Sequence, residues 1–208
     1  MDKPDVRKAL IWAFDTFRAN AVPLLALAAV VMVTQFIAQV AQRLFSEAGA
    51  GAFALLILTF VFLLLSAFAA IGVDRAALRT TQGHEPSFAD MLTMQNLGRY
   101  ILFVLAYIAL TIVGLLLCIL PAFFVIFFLQ LGPFFVLDRG SNVGQAIRSS
   151  FEAIRMNIGP AAIMTILNVI VSLSGTLFFG VLTLLTLPFT ALFTAHMYRQ
   201  FNHEQIAP

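Results

Sequence analysis

The sequence predicts an all-α integral membrane protein with six transmembrane helices. Hydrophobic residues make up 61% of the 208 residues and charged residues only 11%, under half of the about 25% that is usual in soluble domains. A chain of this composition cannot cover itself with polar side chains in water and needs lipid as its solvent. Its apolar stretches are long and continuous, which favours helices over the alternating segments of barrel strands.

Six apolar stretches approach the length of about 20 residues that a helix needs to cross the hydrocarbon core. They are residues 21–41, 52–73, 100–117, 119–137, 158–179 and 181–197. The turns predicted at "CILP" (118–121) and near Gly180 contain no charged residue and must be short. The spans are therefore predicted to form three antiparallel hairpins.

The positions of Lys and Arg predict the orientation, because basic residues collect on the cytoplasmic side. Eleven of the twelve would share one side of the membrane, and Arg43 would be the only one on the other side. The eleven are Lys3, Arg7, Lys8, Arg18, Arg75, Arg79, Arg99, Arg139, Arg148, Arg155 and Arg199. The sequence thus predicts a bacterial inner-membrane protein with both termini in the cytoplasm.

Two amphipathic segments, "VRKALIWAFDTFRANAVP" (6–23) and "VGQAIRSSFEAIRMNIGP" (143–160), align without a gap. The identical pairs are Val6/Val143, Ala9/Ala146, Phe14/Phe151, Arg18/Arg155, Asn20/Asn157 and Pro23/Pro160. Each segment places apolar residues on one helical face and charged residues on another. The segments are predicted to be helices in the cytoplasmic membrane interface, with each proline in the first turn of the next span.

A third, degenerate copy of this segment is predicted at 87–100, where Ser87 and Asp90 would form a capping box. The chain is then a single membrane domain (1–208) of three repeat-like units, at about 5–73, 86–137 and 141–199. Each unit would be an interfacial helix followed by a hairpin. Since two spans separate successive interfacial helices, all three would lie on one face.

The candidate contact residues are Arg18, Asn20, Arg148, Arg155 and Asn157. Arg148 and Glu152 lie four residues apart and can form an ion pair. Two interpretations stay open for these segments. They are elbows that position the spans, or their Arg and Asn groups bind lipid headgroups or a protein partner.

Two prolines are predicted to kink spans: Pro133 late in the fourth and Pro188 inside the sixth. Broken helices can mark transport sites, but no Asp, Glu, Lys or Arg falls inside a span. Ion-coupled carriers commonly use such residues. The uncharged polar residues of the spans, such as Gln130 and Asn168, are expected to form interhelical hydrogen bonds.

The sequence contains no motif for catalysis, a metal or a cofactor: HExxH, Gly-x-Ser-x-Gly and phosphate-binding loops are absent. We therefore predict no catalytic residues, no metal, no cofactor and no nucleic-acid partner. The single cysteine, Cys118, is expected to be a small core residue.

The stretches "RAN" (18–20), "IGVDRAALRTTQGHEPSFADML" (71–92) and "LGPFFVLDRGSNVGQAIRSSFEAIRMN" (131–157) resemble a broad group of uncharacterised six-span bacterial membrane proteins. The group includes the YciC-like inner-membrane proteins and the membrane domain fused to some glycerophosphodiester phosphodiesterases. The most specific part is Asp138 followed by a helix with Ala146, Arg148 and Ser150 that ends in Asn157. The resemblance implies six spans with cytoplasmic amphipathic helices, and it implies no catalytic residues.

Together these observations predict a non-enzymatic polytopic protein. It would organise lipid, or act as an accessory or scaffold subunit of a membrane complex, through its cytoplasmic interfacial helices. Its partners would be membrane lipids, and other membrane proteins or a second copy of the chain. The alternative is a transporter or permease for a small or amphiphilic substrate, which a polar cavity around Gln130, Asn168 and Thr190 would favour.

Overall fold

The structure, a computed structural model, describes residues 4–87, 89, 93, 95–177 and 182–207. Helices dominate these ranges, and no strand occurs within them. In chain order the helices are α1 (Val6–Ala19), α2 (Ala21–Glu47), α3 (Ala52–Thr80), α4 (Leu97–Leu117), α5 (Ile119–Leu129), α6 (Gly132–Arg139), α7 (Val143–Met156), α8 (Ile158–Leu177) and α9 (Thr183–Phe201).

Five stretches of the described chain are long and apolar enough to cross a bilayer. They are Ala21–Glu47, Ala52–Thr80, Leu97–Leu117, Ile119–Arg139 and Ile158–Gly175. Large apolar side chains are exposed along all five, as expected where lipid is the solvent. The predicted all-α fold and the polytopic membrane class are confirmed at this level.

Helix α9, which contains most of the sixth predicted span, is not one of these five. It is the most buried helix of the described chain, with a core run from Ala191 to Arg199, and it contacts α1, α2, α3 and α8. Because protein surrounds it, its side chains need not be apolar all round, and it includes His196 and several threonines. Six spans arranged as three hairpins stay a prediction.

Consecutive helices nevertheless contact each other in the predicted pairs: α2 with α3, α4 with α5, and α8 with α9. Cys118 separates α4 from α5 in an extended conformation, and it is exposed, so the expectation of a core cysteine is wrong. At Gly114 a Cβ atom would lie 2.8 Å from the backbone of Ala122. Only glycine allows the two helices to approach this closely beside the turn.

The fourth predicted span (119–137) is interrupted at residues 130–131, so that it consists of α5 and α6. Pro133 lies in the first turn of α6, where its missing amide costs nothing. Side chains take over the carbonyls that the break frees: Ser150 Oγ donates to Phe128 O at 2.7 Å, and Gln130 Nε2 donates to Phe127 O at 2.9 Å. Pro188 lies within the continuous helix α9.

Helices α1 and α7 have the same length, 14 residues, and their bounds differ by the offset of the sequence alignment. The aligned positions Ala9 and Ala146 are fully buried, and so are Ala13 and Ser150. Helix α1 packs mainly on α9, and α7 packs on α4, α5 and α6. The third predicted copy (87–100) lies largely outside the described residues.

Candidate functional site

A network of charged side chains with a buried centre connects α6, α9 and the C-terminal segment. Its centre is Arg199, whose side chain is only 7% exposed. Arg199 Nη2 and Nη1 donate to Asp138 Oδ1 and Oδ2 at 2.7 and 3.0 Å, and Arg199 Nε donates to Thr81 Oγ1 at 3.1 Å. Tyr198 OH donates to Asp138 Oδ2 at 3.0 Å. The two parallel hydrogen bonds from the Arg199 guanidinium to the Asp138 carboxylate form a bidentate contact, the strongest geometry available to an Arg–carboxylate pair.

Glu204 completes the network. It accepts hydrogen bonds from Arg199 Nη1 and from Arg139 Nη2, the latter at 2.5 Å. Burial alone would raise the pKa of Glu204, but the hydrogen bonds from the two guanidinium groups outweigh it, so the pKa lies below its ordinary value of 4.5. We call Arg199, Asp138, Glu204 and Arg139 the charge network; its two positive and two negative groups balance.

The same end of the bundle contains the N-terminal segment. Gln200 Oε1 accepts from the Asp5 amide at 2.6 Å, and Gln200 Nε2 donates back to Asp5 O at 3.2 Å. Trp12 Nε1 donates to Ala207 O at 3.2 Å, and the Trp12 ring lies 4.9 Å from that of His196. These contacts attach α1 to α9 and to the C-terminal segment.

Two further arginines attach the start of α4 and the segment that precedes it to their neighbours. Arg75, on the last turns of α3, donates to the carbonyls of Thr93 and Gln95. Arg99 donates to Gly140 O. The N-terminal segment, the end of α3, the start of α4, the α6–α7 connection and the C-terminal segment therefore meet at one end of the bundle.

The predicted contact residues also lie at this end, but on its surface. Arg18 and Arg155 are exposed. The side chain of Arg148 is 81% exposed and pairs with Glu152 at 2.9 Å. The three arginines therefore present charge to the surroundings, whereas the Arg199–Asp138 pair of the charge network is enclosed.

Asn20 and Asn157 occupy the same position in their segments, immediately after the last residue of α1 and of α7. Asn20 Nδ2 donates to Thr16 O at 3.1 Å, and Asn157 Nδ2 donates to Ala153 O at 2.9 Å. Each amide therefore satisfies a carbonyl of the helix end and fixes the turn into the next helix. This geometry corresponds to the elbow interpretation for the two asparagines.

Uncharged polar groups form a seam between α5, α8 and α9. Gln130 Nε2 donates to Thr165 Oγ1 at 2.7 Å, and Asn168 Nδ2 donates to Thr194 Oγ1 at 2.9 Å. The predicted interhelical hydrogen bonds thus exist at these residues. Among the described residues, Asn168 Oδ1 is the one buried side-chain oxygen or nitrogen that lacks a hydrogen-bond partner.

Within the described ranges, no group of three or more His, Cys, Asp or Glu side chains could hold a metal ion. One cleft of about 550 Å³ lies between α1 and the end of α3 and includes Trp12, Asp15 and His84.

Sequence reasoning did not identify the charge network. The sequence identified Asp138 only as part of a motif and Arg199 only as a basic residue at the end of a span. One signal could have found Asp138: an acidic residue that directly follows a long apolar run must be paired when the fold buries it. No local signal indicates Glu204, because its partners lie 5 and 65 residues away.

Comparison with known proteins places the chain near uncharacterised relatives. No family model matches it, and no solved structure does. Uncharacterised proteins of Mycobacterium bovis and Mycobacterium tuberculosis are 27% identical to it over 135 residues, which are 65% of this chain and 42% of each relative. The matched stretch thus spans less than half the length of these curated relatives.

Proposed function

We propose that this polytopic protein is a non-enzymatic component of the bacterial inner membrane that gathers anionic lipid at its cytoplasmic face through α1 and α7. The observation that carries the proposal is the separation of charges at one end of the bundle. The charge network balances its own charges, with Arg199 and Asp138 in the interior and Arg139 at its edge. The basic groups of α1 and α7 point outward with no role in the core.

The first support is the surface of α1. Arg7, Lys8 and Arg18 are exposed, and the large apolar residues Ile11 and Phe14 are 53% and 58% exposed. A helix with exposed cations beside exposed apolar side chains suits the boundary between headgroups and acyl chains. Anionic phosphates would be the natural partners of the cations.

The second support is the rigid attachment of α1 to the bundle. The pairs Asp5–Gln200 and Trp12–Ala207 hold it against α9, and the charge network holds the end of α9 against α6. Ordering these elements in advance lowers the entropy cost of binding a headgroup. In this proposal the network is the support and the exposed arginines are the contacts.

The proposal includes the remaining predictions on organisation: six spans in three hairpins, cytoplasmic termini, interfacial helices repeated at the start of each unit, and kinship with the YciC-like proteins. The buried pairs Ala9/Ala146 and Ala13/Ser150 support a repeat. The inward Ser150 and outward Arg148 give the "Ala-x-Arg-x-Ser" motif a physical meaning: Ser150 closes the α5 break and Arg148 faces the surroundings.

The single tryptophan allows a direct test, because Trp12 lies on α1 itself. Reconstituted protein is mixed with equal amounts of phosphatidylglycerol and phosphatidylcholine, one of which is brominated to quench Trp12 fluorescence. We expect the brominated anionic lipid to quench more strongly than the brominated zwitterionic lipid. Arg18→Glu should remove most of the difference, because it places an anion beside the phosphates.

Arg43→Glu is the matched control, since it makes the same charge change at the opposite end of the predicted topology. For α7, native mass spectrometry should detect fewer retained anionic lipids in Arg155→Glu than in Arg43→Glu. Two results would refute the headgroup proposal. One is equal quenching of Trp12 by the two brominated lipids in the unmodified protein, and the other is an equal loss of retained anionic lipid in Arg155→Glu and Arg43→Glu.

A transporter is the second candidate, and the observation that favours it is the unpartnered Asn168 Oδ1 beside the α5–α6 break. A polar path would expose this seam to water. In a Cys118→Ser background, Asn168→Cys should stay unlabelled by a membrane-impermeant thiol reagent if the seam is only packing. Rapid labelling would favour transport instead.

A further inference from the structure

A row of uncharged polar side chains follows one side of α2. Gln35, Gln39, Gln42 and Ser46 are spaced by four, three and four residues. At 100° per residue these positions fall within about one sixth of the helix circumference. This spacing is the 3.5-residue repeat by which one helix packs along another. We call these four residues the α2 polar row.

The upper part of the row lies in the apolar belt of the protein. With a rise of about 1.5 Å per residue, Gln35 is about 21 Å and Gln39 about 27 Å from the start of α2, inside a hydrocarbon core of about 30 Å. Both glutamines are exposed. Their neighbours Phe36, Ile37 and Val40 are exposed as well, at 68%, 51% and 39%.

The side-chain amides of Gln35 and Gln39 have no hydrogen-bond partner among the described residues. Gln42 Nε2, by contrast, donates to Thr59 Oγ1 of α3 at 3.3 Å. From Gln39 onward the row lines a groove of about 540 Å³ between α2 and α3, which Arg43 and Glu47 also line. Acyl chains offer no hydrogen bonds, so exposed amides at this depth favour a protein neighbour.

We propose that the α2 polar row is the contact surface for a second copy of this chain. Every copy inserts into the membrane in the same direction, so the α2 helices of two copies run parallel and a two-fold axis brings identical residues together. A glutamine amide both donates and accepts, and it can therefore pair with the same amide of the other copy. Lipid headgroups lie too far from Gln35 to hydrogen-bond to its amide instead.

Disulfide trapping in membranes tests the proposal. In a Cys118→Ser background, Ser46→Cys places a thiol at the end of the row, and Leu44→Cys places one in the same helical turn but on the opposite side. After mild oxidation, we expect Ser46→Cys to give a product of twice the 22.8 kDa chain. We expect Leu44→Cys to stay monomeric.

Gln35→Leu combined with Gln39→Leu should lower the yield of the Ser46→Cys dimer several-fold, because it removes the amide pairs and keeps the apolar surface. Recovery of the variant in the membrane fraction checks that it still inserts. Three results would overturn the proposal: no Ser46→Cys dimer, equal dimer from Leu44→Cys, or a crosslink to a protein of different mass. None of them bears on the headgroup proposal, which concerns α1 and α7.

Discussion

At the scale of single residues, burial separates arginines that hold the fold from arginines that face the surroundings. Arg199 is enclosed and binds two carboxylates, whereas Arg148 pairs with Glu152 on the surface. Removing one partner of a buried pair leaves an uncompensated charge, but an exposed pair contributes little. The two arginines should therefore respond very differently to the same substitution.

Arg199→Gln should destabilise the protein by about 3–5 kcal/mol, because it leaves Asp138 without its main partner inside the bundle. Thermal unfolding in detergent, followed by circular dichroism, should show a clear fall in Tm. Arg148→Gln is the control and should leave Tm nearly unchanged. Adding Asp138→Asn to Arg199→Gln should restore part of the loss; no recovery would contradict a direct charge pair.

Acid should weaken the charge network through Glu204. The folded-state pKa of this carboxyl lies below its ordinary value of 4.5 because Arg199 and Arg139 bind the charged form. Its stabilising contribution is therefore complete above the unfolded-state pKa and is lost as the pH falls through the folded-state pKa. Between about pH 6 and about pH 3, Tm of the unmodified protein should fall more than that of Glu204→Gln. Parallel curves would show that Glu204 does not contribute.

At the scale of helices, close approaches at glycine decide where spans turn and break. A Cβ on Gly132 would collide with Cζ of Phe103, so α6 begins where the Phe103 ring of α4 packs directly on its backbone. Pro133 follows Gly132 directly. Because proline has no amide hydrogen to donate, α5 does not continue through this position and α6 begins as a separate helix. The break is thus fixed by a proline, by a glycine contact and by two side chains that bind the freed carbonyls.

Gly132→Ala should cost about 1–3 kcal/mol, the usual range for overpacking a well-filled core. Gly159→Ala is the matched control, since no atom lies within 4 Å of its Cβ position, and alanine favours the helix. Adding Phe103→Leu should recover part of the loss in Gly132→Ala. If Gly132→Ala unfolds at the same temperature as Gly159→Ala, the contact does not limit packing.

Much of the helical plan could be predicted from the sequence. Apolar runs identify the five long spans, and the boundary at Cys118 follows from the length of residues 100–137. The central position of α9 could not be predicted, because its contacts involve α1, α2 and α3 from far along the chain. The charge network escaped prediction for the same reason: its hydrogen bonds join Arg199 to residues 61 and 118 positions away.

At the scale of the whole molecule, the fold gathers its N-terminal and C-terminal segments, the α6–α7 connection and the charge network at one end. Five segments of the chain meet there through side-chain and backbone contacts, and the exposed arginines of α1 and α7 surround them. The outer sides of the spans carry apolar residues, and the α2 polar row interrupts them. This division suits a protein that works at the membrane surface and touches a second copy within it.

Thiol labelling in intact bacterial cells tests the proposed orientation, in which the charged end faces the cytoplasm. The reagent is one that cannot cross the inner membrane, and the two reporters are native Cys118 and Gln205→Cys in a Cys118→Ser background. Cys118 lies at the α4–α5 turn, and Gln205 directly follows Glu204 of the charge network in the sequence. We expect Cys118 to be labelled from outside and Gln205→Cys to be labelled only after permeabilisation. Labelling of Gln205→Cys in intact cells with protection of Cys118 would contradict the proposed orientation.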